Sequence, residues 1–171
     1  LLPDNPRCEL IEGLPRMMTS PSRMHQEISG ELFVRFHGFL HGKPCEVYYA
    51  PFDVRLNADE HDDIVVQPDL VVVCDKAKLN DSGCVGAPDL VVEIQSPSTV
   101  KHDRLKKFNL YLRHGVKEYW IVDPDARYVE VFILENGGYR RFGYDETETV
   151  AVGILPGLEI NLAGVFGALL P

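Results

Sequence analysis

QPDLVVVCDKAKLNDSGCVGAPDLVVEIQSPSTVKHDRLKKFNLYLRHGVKEYWIV, residues 67–122, decides how the rest of the chain is read. Two nearly continuous apolar runs, residues 70–74 and 90–94, each follow a Pro-Asp pair, and a basic helical pattern comes after the second. Runs this apolar and β-branched suit strands covered on both faces. Glu93 lies inside the second run, where a carboxylate is out of place unless it is paired or binds something.

Side chains alternate along a strand, so Val91, Glu93 and Gln95 share one face, and Asp89 joins them if the strand starts that early. Two carboxylates held within ~4 Å repel by about 1–4 kcal/mol at dielectrics between water and a protein surface. Burial raises the cost further and pushes their pKa up. A cation between them offsets this, and Mg²⁺ or Mn²⁺ suits a site of carboxylate oxygens, backbone carbonyls and water.

Outward from this stretch, residues 8–11 and 15–18 flank Glu12-Gly13 as a short hairpin or a bent extended segment. Ser20-Pro21-Ser22 starts a helix running from Arg23 to about His41, with Ile28, Leu32, Phe33, Phe36, Phe39 and Leu40 on its apolar face. Residues 46–50 and 52–56 read as short strands around Pro51, and 57–63 as an acidic loop. Residues 64–74 form a strand or strand pair broken at Pro68, and 75–87 a turn-rich excursion. Residues 96–99 cap a second helix whose buried face is Leu105, Phe108, Tyr111 and Leu112, ending near Gly115. Residues 118–122 are a strand, and 128–134 with 139–144 make a hairpin around Asn136-Gly137-Gly138. The order predicts an α/β (α+β) domain over residues 1–171, with a mixed central sheet flanked by helices and a C-terminal β-hairpin.

Composition fits one globular core: 171 residues, 45% hydrophobic and 25% charged. No apolar run approaches the ~20 residues that cross a bilayer, so no membrane partner is expected. A net charge of −9 argues against a dedicated nucleic-acid-binding domain. The charge is uneven, however. Lys101, Arg104, Lys106, Lys107, Arg113 and Lys117 face Asp103 alone, and a phosphate could be met there. Cys8, Cys45, Cys74 and Cys84 lack Cys-x-x-Cys spacing and read as isolated thiols of a reducing, cytoplasmic protein, without a disulfide framework.

An Asp after Pro, about twenty residues, then Glu-x-Gln resembles the PD-(D/E)xK nuclease superfamily. The segments ELIEG (9–13), SPS…HQ (20–26), GAPDLVVEI (86–94), SPST (96–99), Asp103…Lys107…Tyr111 and GVKEYWIVDP (115–124) resemble the Uma-two family of restriction-endonuclease-like proteins, over roughly residues 8–144. The resemblance implies a restriction-endonuclease-like core and a Mg²⁺- or Mn²⁺-dependent endonuclease hydrolysing DNA phosphodiester bonds. It makes Asp69 and Glu93 metal ligands, with the Ile94 carbonyl as a third. Gln95 stands where the motif lysine belongs, keeping a donor without the charge. Lys107 on the following helix is the candidate for a migrated lysine, and the two would be catalytic with Asp69 and Glu93, orienting the attacking water. Similar proteins recruit an acid from the first helix, so Glu27 or Glu31 would join, with His25 nearby. Cutting both strands takes two sites, which suggests a homodimer.

Ordinary readings stand beside these. Asp69 at a strand entrance binds turn amides in many folds. Asp89, only four residues from Glu93, is a turn residue or auxiliary ligand. Asp103 and Lys107 form an i, i+4 helix pair. Arg104 and Lys106 are a solvated face or contacts to phosphate. A catalytically inactive nuclease-fold binding or assembly module is the alternative function, drawn from the net acidity and the missing strand lysine.

Overall fold

The computed structural model describes residues 7–57, 61–96 and 102–167, apart from the side chains of His102 and Asp103. The Pro97-Ser98-Thr99 cap, Asp59 and Glu60 of the acidic loop, Lys101 and the Asp103 partner of Lys107 lie outside the described residues.

In chain order the elements are β1 (Cys8–Ile11), β2 (Leu14–Met17), α1 (Arg23–Leu40), β3 (Glu46–Tyr49), β4 (Val54–Arg55), β5 (Val65–Val66) and β6 (Leu70–Val73). A 3-10 turn, Lys76–Lys78, precedes β7 (Leu79–Asn80), β8 (Gly83–Val85), β9 (Leu90–Ile94), α2 (His102–Arg113) and β10 (Glu118–Asp123). There follow β11 (Tyr128–Glu135), β12 (Gly138–Asp145), β13 (Thr149–Ala151), β14 (Glu159–Asn161) and α3 (Leu162–Phe166).

The central sheet runs β12-β11-β10-β9-β6-β3 and is mixed: β9 and β10 are parallel, and the other neighbours are antiparallel. Alternation sorts its side chains into two cores. Leu70, Val72, Leu90, Val92, Trp120 and Val122 pack under α1 and the C-terminal segment. Val71, Val73, Val91, Tyr119 and Ile121 pack on the other face, against α2 and a second sheet ordered β2-β1-β5-β4-β8-β7. Glu93 is in phase with Val91 and therefore faces α2.

That second sheet departs from the sequence reading. Residues 64–74 split at Pro68 into strands of different sheets, and the turn-rich excursion supplies β7 and β8. β5, β7 and β8 are two or three residues long, too short for periodicity to register. Gly83 sits where a Cβ would fall 2.1 Å from the Asp53 carbonyl oxygen, a close approach only glycine permits.

Two local devices position the site. Ser22 caps α1 by accepting the His25 N–H at 3.2 Å, which fixes His25 in the first turn. After α2, Gly115 (φ 77°) closes a Schellman motif, with Val116 N–H donating to the Tyr111 carbonyl and Gly115 N–H to that of Leu112. Two expectations are corrected here. Leu105 is 62% exposed, because α2 is rotated to turn Lys107 and Tyr111 inward. Cys45 and Cys74, at adjoining ends of the paired strands β3 and β6, are joined as a disulfide; Cys8 and Cys84 are free. No helix among the described residues is long and apolar enough to cross a membrane.

Candidate active site

β6 and β9 pair Leu70 with Val92 and Val71 with Val91, so one step further along the same register sets Asp69 opposite Glu93. Asp69 uses its side chain to continue the ladder: Oδ2 accepts the Ile94 N–H at 2.7 Å. Its other oxygen, Oδ1, lies 2.7 Å from His25 Nε2, reaching across from α1. A proton on Nε2 satisfies that contact. His25 Nδ1 is buried with no hydrogen-bond partner among the described residues.

Glu93 is met from α2. Lys107 Nζ donates to Glu93 Oε1 and Oε2 at 3.0 and 3.2 Å, and to Glu9 Oε1 on β1 at 2.9 Å. One turn on, the Tyr111 hydroxyl donates to Glu93 Oε1 at 2.6 Å. Glu9 Oε1 also accepts the Gln67 N–H at 3.0 Å. An ammonium shared by two carboxylates, with only 11% of its side chain exposed, is a strongly coupled group. Burial raises Glu93 against the pull of Lys107, Glu9 and Asp69 add to the rise, and the carboxyl stands at about 7. Burial works to lower Lys107, but Glu93 and Glu9 outweigh it and hold the ammonium above its usual range. The Tyr111 phenol is raised by burial and by Glu93 and stays a donor.

Asp69, Glu93, Ile94, Lys107, His25 and Glu9 line one cavity of about 220 Å³ between the β1–β2 hairpin, the start of α1 and the ends of β6 and β9. The remaining residues picked out from the sequence fall elsewhere. Gln95 continues the backbone ladder to the Val122 carbonyl at 2.8 Å and does not line the cavity. Glu31 pairs with Arg35 and Glu27 with Arg23, each along α1. Asp89, at the opposite end of β9, accepts from Cys74 N–H and Lys117 Nζ, both at 2.7 Å. Burial would raise its pKa, but Lys117 and the Cys74 amide outweigh that and lower it. Arg104 is tied to the buried Glu130 of β11, and Lys106 is exposed beside Glu12 and Arg113.

Sequence reasoning missed Glu9 as a site residue and took Tyr111 only as core. Glu9 carried a usable signal: it is an acid one step out of phase with the exposed Cys8, at an inward position of a short strand.

Among the described residues no three His, Cys, Asp or Glu groups converge as a metal cluster. Two facing carboxylates are nevertheless what Mg²⁺ asks for, since it keeps most of its water and binds through one or two carboxylates plus substrate phosphate. The donor set of Asp69 and Glu93 therefore fits such an ion.

An acid beside each of two neighbouring strands and a lysine from the helix behind them thus meet in one cavity on a mixed sheet. The chain belongs to the Uma2 family, whose model, described as "Putative restriction endonuclease", matches residues 1–163. Its fold is similar to a crystal structure described as "a putative nuclease belonging to DUF820" from Anabaena variabilis, with a TM-score of 0.80 and 22% identity, covering 99% of this chain and 95% of that one. It is also 25% identical over 162 residues to the uncharacterised protein slr1290 of Synechocystis sp., covering 92% of this chain and 84% of the relative.

Proposed function

We propose that the protein is a metal-dependent endonuclease that hydrolyses DNA phosphodiester bonds. The observation that carries this reading is the placement of Asp69 and Glu93 on adjacent strands, in one cavity with the Lys107 ammonium. Mg²⁺ or Mn²⁺, held by Asp69 and Glu93 with the Ile94 carbonyl, would supply Lewis acidity and a bound water of lowered pKa. Lys107 takes the part that a strand lysine would have played at position 95. Its ammonium, kept charged by two carboxylates, offsets negative charge gathering on the phosphate oxygens. Glu9 and Tyr111 fix Lys107 and Glu93 in orientation, and His25 fixes Asp69. A homodimer, giving two sites for two strands, and a cytoplasmic location belong to the same proposal. The Cys45–Cys74 disulfide pulls against that location.

A catalytically inactive binding module is the second reading. It is favoured by one feature: Glu9 and Glu93 already share a buried ammonium, so these acids are partly balanced without a divalent ion. Supercoiled-plasmid nicking in Mg²⁺, in Mn²⁺ and in EDTA separates the two. Metal-dependent nicking that Glu93→Gln abolishes supports the nuclease. No nicking by wild type in either metal supports the silent module.

A further inference from the structure

Arg104 and Lys106, the cations that the sequence offered to phosphate, do not line the cavity. Others do. Arg16 on β2 stands opposite Glu9 in the β1–β2 register, and Glu9 is 4% exposed and in contact with Lys107. Cross-strand partners share a face, so Arg16 faces the cavity that it lines. Arg7 lies two residues before Glu9, on that face. Its Nε and Nη2 donate to Gln67 Oε1 at 3.2 and 3.0 Å, and Gln67 N–H in turn donates to Glu9. Gln67 is neutral, so this contact orients the Arg7 guanidinium without cancelling its charge. The cavity wall thus carries Arg7, Arg16 and Lys107 beside the carboxylates Glu9, Asp69 and Glu93. Tyr49 forms part of the same wall from the edge strand β3. It is 56% exposed, and its ring is held edge-on against Phe33 at 4.7 Å.

We propose that this rim grips one DNA strand beside the scissile phosphate, with Arg7 and Arg16 on flanking backbone phosphates and the Tyr49 ring against a base face. Guanidinium groups match phosphate oxygens in bidentate geometry, and an immobilised exposed aromatic ring is a platform on which any base stacks. The proposal rests on the nuclease reading and adds the surface that holds the substrate.

Fluorescence anisotropy with a labelled single-stranded DNA, in Ca²⁺ over a range of salt, tests it on the full chain. Each phosphate contact adds about −0.7 to the slope of log K against log salt. Arg16→Ala and Arg7→Ala are each expected to weaken binding roughly tenfold and to flatten that slope by about one contact. Tyr49→Ala is expected to weaken binding by a similar factor with the slope unchanged, because stacking releases few counterions. Lys106→Ala is expected to match wild type. Wild-type affinity and slope in the Arg7→Ala/Arg16→Ala double variant overturn the proposal, as does a loss that appears with Lys106→Ala instead. A wild-type protein that does not bind this single strand overturns the proposal, while the nuclease reading stands or falls on plasmid nicking. A wild type that binds while the rim variants are unaffected removes the rim alone.

Discussion

Lys107 Nζ and Glu93 Oε1 lie 3.0 Å apart, joining a helix to the strand 14 residues before it. The same ammonium reaches Glu9, 98 residues away. Removing it leaves two mostly buried carboxylates without their cation, a loss of about 3–5 kcal/mol. Lys107→Met, which keeps most of the side chain's volume, is expected to lose that much stability in urea denaturation at neutral pH. It is also expected to lose nicking activity by at least ~100-fold, in line with removal of one electrostatic catalytic group. Unchanged stability would mean that the three-residue cluster does not form.

Gln95 occupies the motif-lysine position but stands outside the cavity. Gln95→Ala is accordingly expected to keep nicking within a few-fold of wild type. A loss comparable with that of Lys107→Met would return the role to the strand.

How much of this the sequence disclosed depended on where each residue's partners lie. The apolar runs in β6 and β9, the Ser22 cap, and the hairpin turn at Asn136 (φ 50°) and Gly137 (φ 80°) are set by neighbours a few positions away, and all were legible. The rotation of α2 was not. Leu105 and Lys107 compete for the inward face, and what decides between them is a pair of acids on two other strands. Glu9 was overlooked although it alternates in phase with the buried Ile11 on β1. The Cys45–Cys74 pairing, 29 residues apart, became visible only once β3 and β6 were side by side. Glu93 could be named because strand alternation and the family motif agreed on it; Asp69 rested on the motif alone, since alternation pointed to Asp89 beside Glu93.

Glu93 has a folded-state pKa of about 7 against an ordinary 4.5, so in the metal-free protein the folded chain holds a proton that the unfolded chain has released. The stability this contributes is complete below pH 4.5 and is lost as pH rises through about 7. Chemical denaturation in EDTA should show stability falling by about 1–3 kcal/mol across that window. Glu93→Gln should flatten the fall. Mg²⁺ should also reduce it, since a metal binds the deprotonated carboxylate. A pH-independent wild type between 5 and 7.5 would contradict this.

Glu118 is fully buried, with Oε1 accepting from Trp120 Nε1 at 2.7 Å and Oε2 from the Ile154 N–H at 2.9 Å. It ties the C-terminal segment to β10. Glu118→Gln turns an NH₂ group toward a donor and should lower the denaturation midpoint, at a cost of about 1–3 kcal/mol. A wild-type midpoint would show that the segment is held by packing alone.

The central claim is that Asp69 and Glu93 together hold one divalent ion. Calorimetric titration of the full chain with Mn²⁺ tests it most directly, with Asp69→Asn and Glu93→Gln measured beside wild type. A single site in wild type, weakened at least ~10-fold by either substitution, is the predicted result. No heat of binding in wild type, or a site indifferent to both substitutions, would contradict it.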